Sequence, residues 1–80
     1  MKTNRSWLRF NYEYHCLRER LGRGDANAED EARSWAERWL ADKSLGVVGR
    51  PGYTRSWLSK VGKLLGPEEA RRMMEAARGS

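Results

Sequence analysis

Two basic segments of the chain carry the side chains best suited to binding an anionic or aromatic partner. Residues 1–23 hold six Lys and Arg against two acids, and residues 44–66 hold four Lys and Arg with no acid. Lys and Arg contact the phosphates of nucleic acid, and a tyrosine among them can stack on a base. The same Lys and Arg side chains are also suited to binding an acidic patch on a protein. The candidates for contact with a partner or with phosphate are Arg5, Arg9, Arg50, Tyr53, Arg55, Lys60 and Lys63.

The residue types needed for catalysis or metal binding are not arranged in a usable pattern. His15 and Cys16 are adjacent, and neighbours on a helix point in different directions, so they form neither a catalytic pair nor half of a zinc site. Gly46, Gly49 and Gly52 are evenly spaced, but no Gly-Lys-Ser/Thr follows them, as a phosphate loop requires. We therefore expect no catalytic residue, no metal ligand and no cofactor, and a protein that is not an enzyme.

Length and composition limit the chain further. Its 80 residues suit one small helical domain over residues 1–80. No apolar run approaches the roughly 18 residues of a transmembrane helix, and the N-terminus lacks the apolar stretch of a signal peptide. A single cysteine allows no internal disulfide. These features predict a cytoplasmic protein in a reducing compartment, with no membrane partner.

Apolar residues recur at intervals of three and four in four stretches, which is the pattern of amphipathic helices. The stretches predict helices at about residues 5–21, 28–43, 54–65 and 67–78, with a Gly/Pro loop over residues 44–53. The predicted fold is therefore an all-α bundle of about four helices. The apolar faces supply the candidate core residues Trp7, Phe10, Tyr14, Leu17, Leu21, Trp35, Trp39, Leu40, Trp57, Leu58, Val61, Leu65, Met73 and Met74.

The tripeptide Arg-Ser-Trp occurs three times, at residues 5–7, 33–35 and 55–57. Three Arg/Trp pairs would make platforms on which bases stack. Each tryptophan also lies on the apolar stripe of its own predicted helix, where it fills the core while the arginine packs over it. Trp39 lacks the Arg-Ser prefix and lies on the same stripe as Trp35, so we favour the core interpretation.

The last two predicted helices, with Gly66 between them, follow the order of a helix-turn-helix motif. In that motif the N-terminus of the second helix enters the major groove of DNA. Here this N-terminus carries Glu68 and Glu69, which phosphates repel, although Arg71 and Arg72 follow. A non-specific contact between phosphates and the basic segments is therefore the stronger form of a nucleic-acid hypothesis.

The C-terminal part of the chain, over residues 53–78, contains the run Leu-Gly-Pro-Glu-Glu-Ala-Arg-Arg-Met-Met. In its size, its Arg and Trp content and this run, the chain is similar to small helical proteins carried by phages and prophages. The resemblance implies an accessory protein that binds and inhibits a host macromolecular complex, as anti-CRISPR proteins do. The resemblance identifies no functional residue in this chain.

Two functions follow, in order of preference. The first is a non-enzymatic protein that binds a protein partner, such as a host complex, through aromatic and arginine anchors, and that can form a homodimer. The alternative is a small basic protein that binds nucleic acid through its phosphates or through a degenerate helix-turn-helix. Binding that weakens steeply with salt distinguishes the alternative from the first function.

Overall fold

Four α-helices make up the described part of the chain. The computed structural model describes residues 5–79. α1 spans Arg5–Gly22, α2 spans Ala28–Ala41, α3 spans Pro51–Leu65 and α4 spans Pro67–Gly79. Within this range there is no strand, and no helix is long and apolar enough to cross a membrane. The predicted all-α bundle of four helices is confirmed, with helix ends within three residues of the predicted ones.

The turn between α1 and α2 is built on one glycine and one aspartate. Gly24 has φ +78°, in the left-handed region that favours glycine. Asp25 accepts a hydrogen bond from the backbone N–H of Asn27 at 2.9 Å, and the guanidinium of Arg20 bridges Asp25 and Glu31. The N–H of Asn27 first, and then Arg20, lower the pKa of Asp25. The turn therefore ties the end of α1 to the start of α2.

α2 ends two residues earlier than predicted because Asp42 stops it. The Asp42 backbone is extended, and its Oδ1 accepts hydrogen bonds from the N–H groups of Ser44 and Leu45 at 2.8 and 3.0 Å. A side chain that takes up backbone donors in this way replaces the next helical hydrogen bonds. The α2–α3 connection consequently occupies residues 42–50.

α3 begins at Pro51, three residues before the predicted start, so the predicted loop over residues 44–53 is too long. Proline suits the first turn of a helix because the N–H it lacks has no partner there. Thr54, in the first turn, donates its hydroxyl to the carbonyl of Val47 and holds the loop against α3. Leu45 and Val47 of this loop are fully buried, and the loop therefore contributes to the core.

A row of aromatic rings crosses the bundle from its surface to its centre. Tyr53 of α3 stacks on Trp7 of α1, with ring centroids 5.1 Å apart. Trp7 stacks on Phe10 at 5.5 Å, and Phe10 stacks on Trp35 of α2 at 4.8 Å. Trp39 meets Phe10 edge-on at 5.9 Å. Stacked and edge-on rings each stabilise a core by about 0.5–1.5 kcal/mol beyond their burial, so this row joins α1, α2 and α3.

Most of the residues predicted for the core are there. The fully buried ones are Phe10, Tyr14, Leu17, Trp35, Trp39, Trp57, Val61 and Met74. Those half-buried against this cluster are Trp7, Leu40, Leu58, Leu65 and Met73. Leu21, at the end of α1, is half-buried and lies outside the buried cluster, which corrects its assignment to the core. Small residues complete the packing: Ala32, Ala36 and Ala70.

One glycine forms the whole connection between α3 and α4. Gly66 has φ +101° and ψ 145°, a conformation that residues with a side chain rarely adopt. One turn earlier, a Cβ added at Gly62 would lie 3.5 Å from the Cα of Pro67, which is an ordinary van der Waals distance. The sharp bend at Gly66 lets α4 fold back and pack on α3.

Candidate functional site

Ion pairs divide the basic residues of the described chain into two groups. The arginines that pair with carboxylates of the chain are Arg9, Arg20, Arg23, Arg33, Arg38 and Arg72. The other basic residues of residues 5–79 form no ion pair: Arg5, Arg18, Lys43, Arg50, Arg55, Lys60, Lys63, Arg71 and Arg78. Four of them, Arg18 of α1, Arg50 before α3, and Lys60 and Lys63 of α3, lie on or beside a connected set of aromatic rings. We call these four residues the basic face.

Alternating cations and rings connect the members of the basic face. The guanidinium of Arg50 lies 5.7 Å from the ring centroid of Tyr53, which stacks on Trp7. The Nζ atom of Lys60 lies 5.1 Å from the ring centroid of Trp7. Cations within about 6 Å of an aromatic ring are attracted to it. Arg50 and Lys60 therefore lie at two rings that are stacked on each other.

Tyr14 brings a third basic side chain, that of Arg18, into this arrangement. Lys60 Nζ lies 5.8 Å from the Tyr14 ring centroid, and Arg18 Nη1 donates a hydrogen bond to Tyr14 Oη at 3.1 Å. Arg18 was not among the residues predicted from the sequence. The available signal was its spacing, because residues four apart lie on the same side of a helix and Tyr14 belongs to the core stripe.

The charge of Lys60 is less stable than that of an exposed lysine. Its pKa is lowered, first by burial of the ammonium and second by the positive charge of Lys63. Both effects disfavour a cation that has no anion beside it. An anion placed near Lys60 would oppose both effects and raise its pKa.

The aromatic rings of this face are already covered. Trp7 carries Tyr53 and Phe10 stacked against it, with Lys60 over its ring. Tyr53 has Trp7 on its ring and Arg50 within cation–π distance. The sequence suggested that Tyr53 could stack on a base. That contact stays a prediction, and in the structure the Tyr53 ring lies against Trp7 and Arg50 of the protein itself.

Three predicted contact residues point away from the basic face. Arg5 and Arg9 precede Tyr14 by nine and five residues, which places them about 180° and 140° from it around α1. Arg9 pairs instead with Glu13, toward α2. Arg55 precedes Lys60 by five residues and so lies about 140° from it around α3. The structure thus brings together Arg50, Tyr53, Lys60 and Lys63, and separates Arg5, Arg9 and Arg55 from them.

A second surface feature lies between α1 and α2. It is a groove of about 510 Å³ whose lining includes Tyr12, Cys16 and the buried Trp35. Tyr12 is 70% exposed, and Leu8, one turn before it, is 54% exposed. A hydrogen bond with Cys16 raises the pKa of the Tyr12 hydroxyl. Exposed apolar residues next to a groove are common in surfaces that bind other proteins.

Within residues 5–79, no group of three His, Cys, Asp or Glu side chains is placed to hold a metal ion. Known proteins give no further guide, because no family model, no curated protein and no solved structure matches this chain. The charges, rings and grooves described above are therefore the only basis for a functional proposal.

Proposed function

We propose that this chain is a non-enzymatic binding protein that holds the phosphate backbone of nucleic acid on its basic face. The supporting observation is that Arg18, Arg50 and Lys60 lie at the rings of Tyr14, Tyr53 and Trp7, with Lys63 beside Lys60, and that none of the four forms an ion pair within residues 5–79. Bases that release condensed counterions from phosphates supply most of non-specific nucleic-acid affinity. A face of cations without internal partners is suited to that role.

The covered rings favour a duplex over a single strand. Proteins that bind single strands offer open aromatic faces on which bases stack. Here Trp7 and Tyr53 stack on each other beneath Lys60 and Arg50. A duplex needs no stacking platform, since its bases already stack and its phosphates lie outside.

A helix-turn-helix contact is not supported by the same geometry. The turn of that motif usually has three or four residues, whereas Gly66 alone joins α3 to α4. The N-terminus of α4 carries the exposed Glu68 and the half-buried Glu69. The nucleic-acid proposal therefore rests on phosphate contacts and implies little dependence on base sequence.

A second candidate function is the binding of a protein target, such as the host complex that phage accessory proteins inhibit. The observation that favours it is the pair of exposed side chains, Leu8 and Tyr12, beside the groove between α1 and α2. Tyr12 lies about 120° around α1 from Arg18, because it precedes Arg18 by six residues. The two functions therefore use different residues and can be tested separately.

The test is fluorescence anisotropy with a labelled random duplex and a single strand of equal length, over a range of salt. Four phosphate contacts predict a slope of log affinity against log salt of about −3.6. Raising salt from about 50 to about 200 mM should then weaken duplex binding by roughly 100-fold. We expect the single strand to bind more weakly than the duplex.

Absence of duplex binding at the lowest salt would refute the nucleic-acid function. The variant pair Leu8→Ala and Tyr12→Ala provides the matched control, because both side chains are exposed and lie off the basic face. These variants should bind the duplex as the unaltered protein does. Loss of duplex binding in them would place the contact on the α1/α2 side and contradict the proposal.

A further inference from the structure

We propose that Arg18 and Lys60, brought together on Tyr14, form a subsite for a single phosphate group. The subsite deepens the nucleic-acid function proposed above and rests on it. It differs from a diffuse attraction because two named side chains, from two helices, would contact the same phosphate.

The geometry brings the two cations toward one ring. Arg18 reaches Tyr14 from α1 through a 3.1 Å hydrogen bond to the phenol oxygen. Lys60 reaches it from α3, with Nζ 5.8 Å from the ring centroid. A phosphate has several acceptor oxygens, so it can take one hydrogen bond from a guanidinium and another from an ammonium.

Both cations are held before any ligand arrives. The Tyr14 side chain belongs to the core and is buried, so its hydroxyl is a fixed acceptor for Arg18. Lys60 is half-buried and lies over the rings of Trp7 and Tyr14. Long basic side chains lose conformational entropy when they bind, and holding them in place beforehand reduces this cost.

The surroundings of Lys60 favour an anion from outside the chain. The positive charge of Lys63, on the same helix, lowers the pKa of Lys60, and the other cation in contact with Tyr14 is Arg18 of α1. Within the described residues, neither Lys60 nor Arg18 forms an ion pair. A half-buried ammonium among like charges is stabilised by a bound anion, and phosphate binding should therefore raise the pKa of Lys60.

The first experiment measures duplex affinity for Arg18→Gln, Lys60→Gln and the control Arg55→Gln. Arg55 is an exposed base without an ion pair on the same helix as Lys60, but on another side of it. Because Arg18 and Lys60 would share one phosphate, the four residues of the basic face would contact three phosphates, and the salt slope would be about −2.7. Loss of either side chain should reduce the magnitude of this slope by up to about 0.9 and weaken binding by up to roughly tenfold at about 50 mM salt. We expect this for Arg18→Gln and Lys60→Gln, and less than a roughly twofold change for Arg55→Gln.

Folding is checked by circular dichroism, and Lys60→Met serves as a second variant because it keeps the apolar stem and removes the charge. Lys60→Met should lose the same affinity as Lys60→Gln. Duplex binding that survives in both Lys60 variants, or that falls equally in Arg55→Gln, would overturn the subsite and leave the nucleic-acid function standing.

The second experiment titrates the protein with inorganic phosphate and follows the side-chain carbon resonances of Lys60 by NMR. The subsite predicts that phosphate raises the pKa of Lys60, and that Arg18→Gln reduces this rise. If the duplex does not bind but phosphate still raises this pKa, the subsite is supported and the nucleic-acid function is refuted. If neither the duplex nor phosphate acts on Lys60, both proposals fail.

Discussion

Three buried tryptophans differ in what their indole N–H groups contact, and this difference predicts their effects on stability. Trp57 donates to the carbonyl of Ala36 at 3.1 Å, and Trp39 donates to the carboxylate of Glu13 at 2.8 Å. The indole N–H of Trp35 is buried and has no acceptor among the described residues. All three side chains are at most 5% exposed. Replacement by phenylalanine therefore removes a similar volume at each site but a different polar contact.

The polar contribution sets the order of the variants. Trp57→Phe loses a hydrogen bond with a net value of about 1 kcal/mol. Trp35→Phe removes an unpaired buried donor, whose burial costs about 1–3 kcal/mol. Both variants lose a similar buried volume, and the destabilisation from that loss is therefore similar. Trp35→Phe should consequently be less destabilising than Trp57→Phe by about 2–4 kcal/mol. Trp39→Phe should resemble Trp57→Phe or exceed it, because its acceptor is charged.

Urea unfolding followed by far-ultraviolet circular dichroism measures this difference without relying on tryptophan fluorescence. The free energy of unfolding falls by about 1 kcal/mol per molar urea for a small domain. The urea concentrations at half-unfolding of Trp35→Phe and Trp57→Phe should then differ by roughly 2 M or more. If Trp35→Phe destabilises the protein as much as Trp57→Phe does, the Trp35 N–H has an acceptor and the reasoning is wrong.

Three further predictions concern the helix ends and the exposed surface. Gly62→Ala should raise the free energy of unfolding by about 0.5–1 kcal/mol in chemical denaturation, whereas Gly66→Ala should lower it by about 1–3 kcal/mol because of its positive φ. Asp42, whose pKa is lowered by the Ser44 hydroxyl and by backbone N–H groups, should stabilise the fold above the unfolded carboxyl pKa. That stabilisation should be lost as pH falls through the folded pKa, and Asp42→Asn should reduce this acid dependence in pH-resolved melting. Tyr12→Ala should change stability by less than about 0.5 kcal/mol, since the ring is exposed, and a larger loss of Tm would contradict its placement.

The helices were predictable because their apolar stripes are regular and their ends carry standard signals. Gly24, Pro51 and Pro67 mark boundaries through backbone chemistry that acts locally. The predicted start of α3 is three residues too late, because Pro51 is as typical of a loop as of the first position of a helix. The burial of Leu45 and Val47 does not follow from the sequence, because a loop has no periodicity that shows which side chains point inward.

The candidate site was less predictable, because it depends on which helices pack together. In the sequence the basic residues group by segment, and the segment 1–23 contains Arg5, Arg9 and Arg18. On a helix, neighbours in sequence face different directions, and only the packing of α1 on α3 selects Arg18. The sequence predicts that Tyr53 contacts a partner because it does not show which helix Tyr53 packs against. Its stacking on Trp7 could not be derived without knowing that α1 and α3 are adjacent.

The net charge of +5 understates how unevenly the fold distributes its charge. Glu13 illustrates the effect, because its carboxylate pairs with Arg9 and Arg38 and so neutralises bases on the α2 side of α1. Exposed pairs of this kind contribute little to stability, about 0–1 kcal/mol each. Their larger consequence is electrostatic, since Glu13 neutralises Arg9 and Arg38 while Arg18 and Lys60 have no carboxylate partner within residues 5–79. A protein with the same composition but evenly paired basic residues would attract phosphates weakly from every side, whereas the proposed subsite would attract them to Arg18 and Lys60.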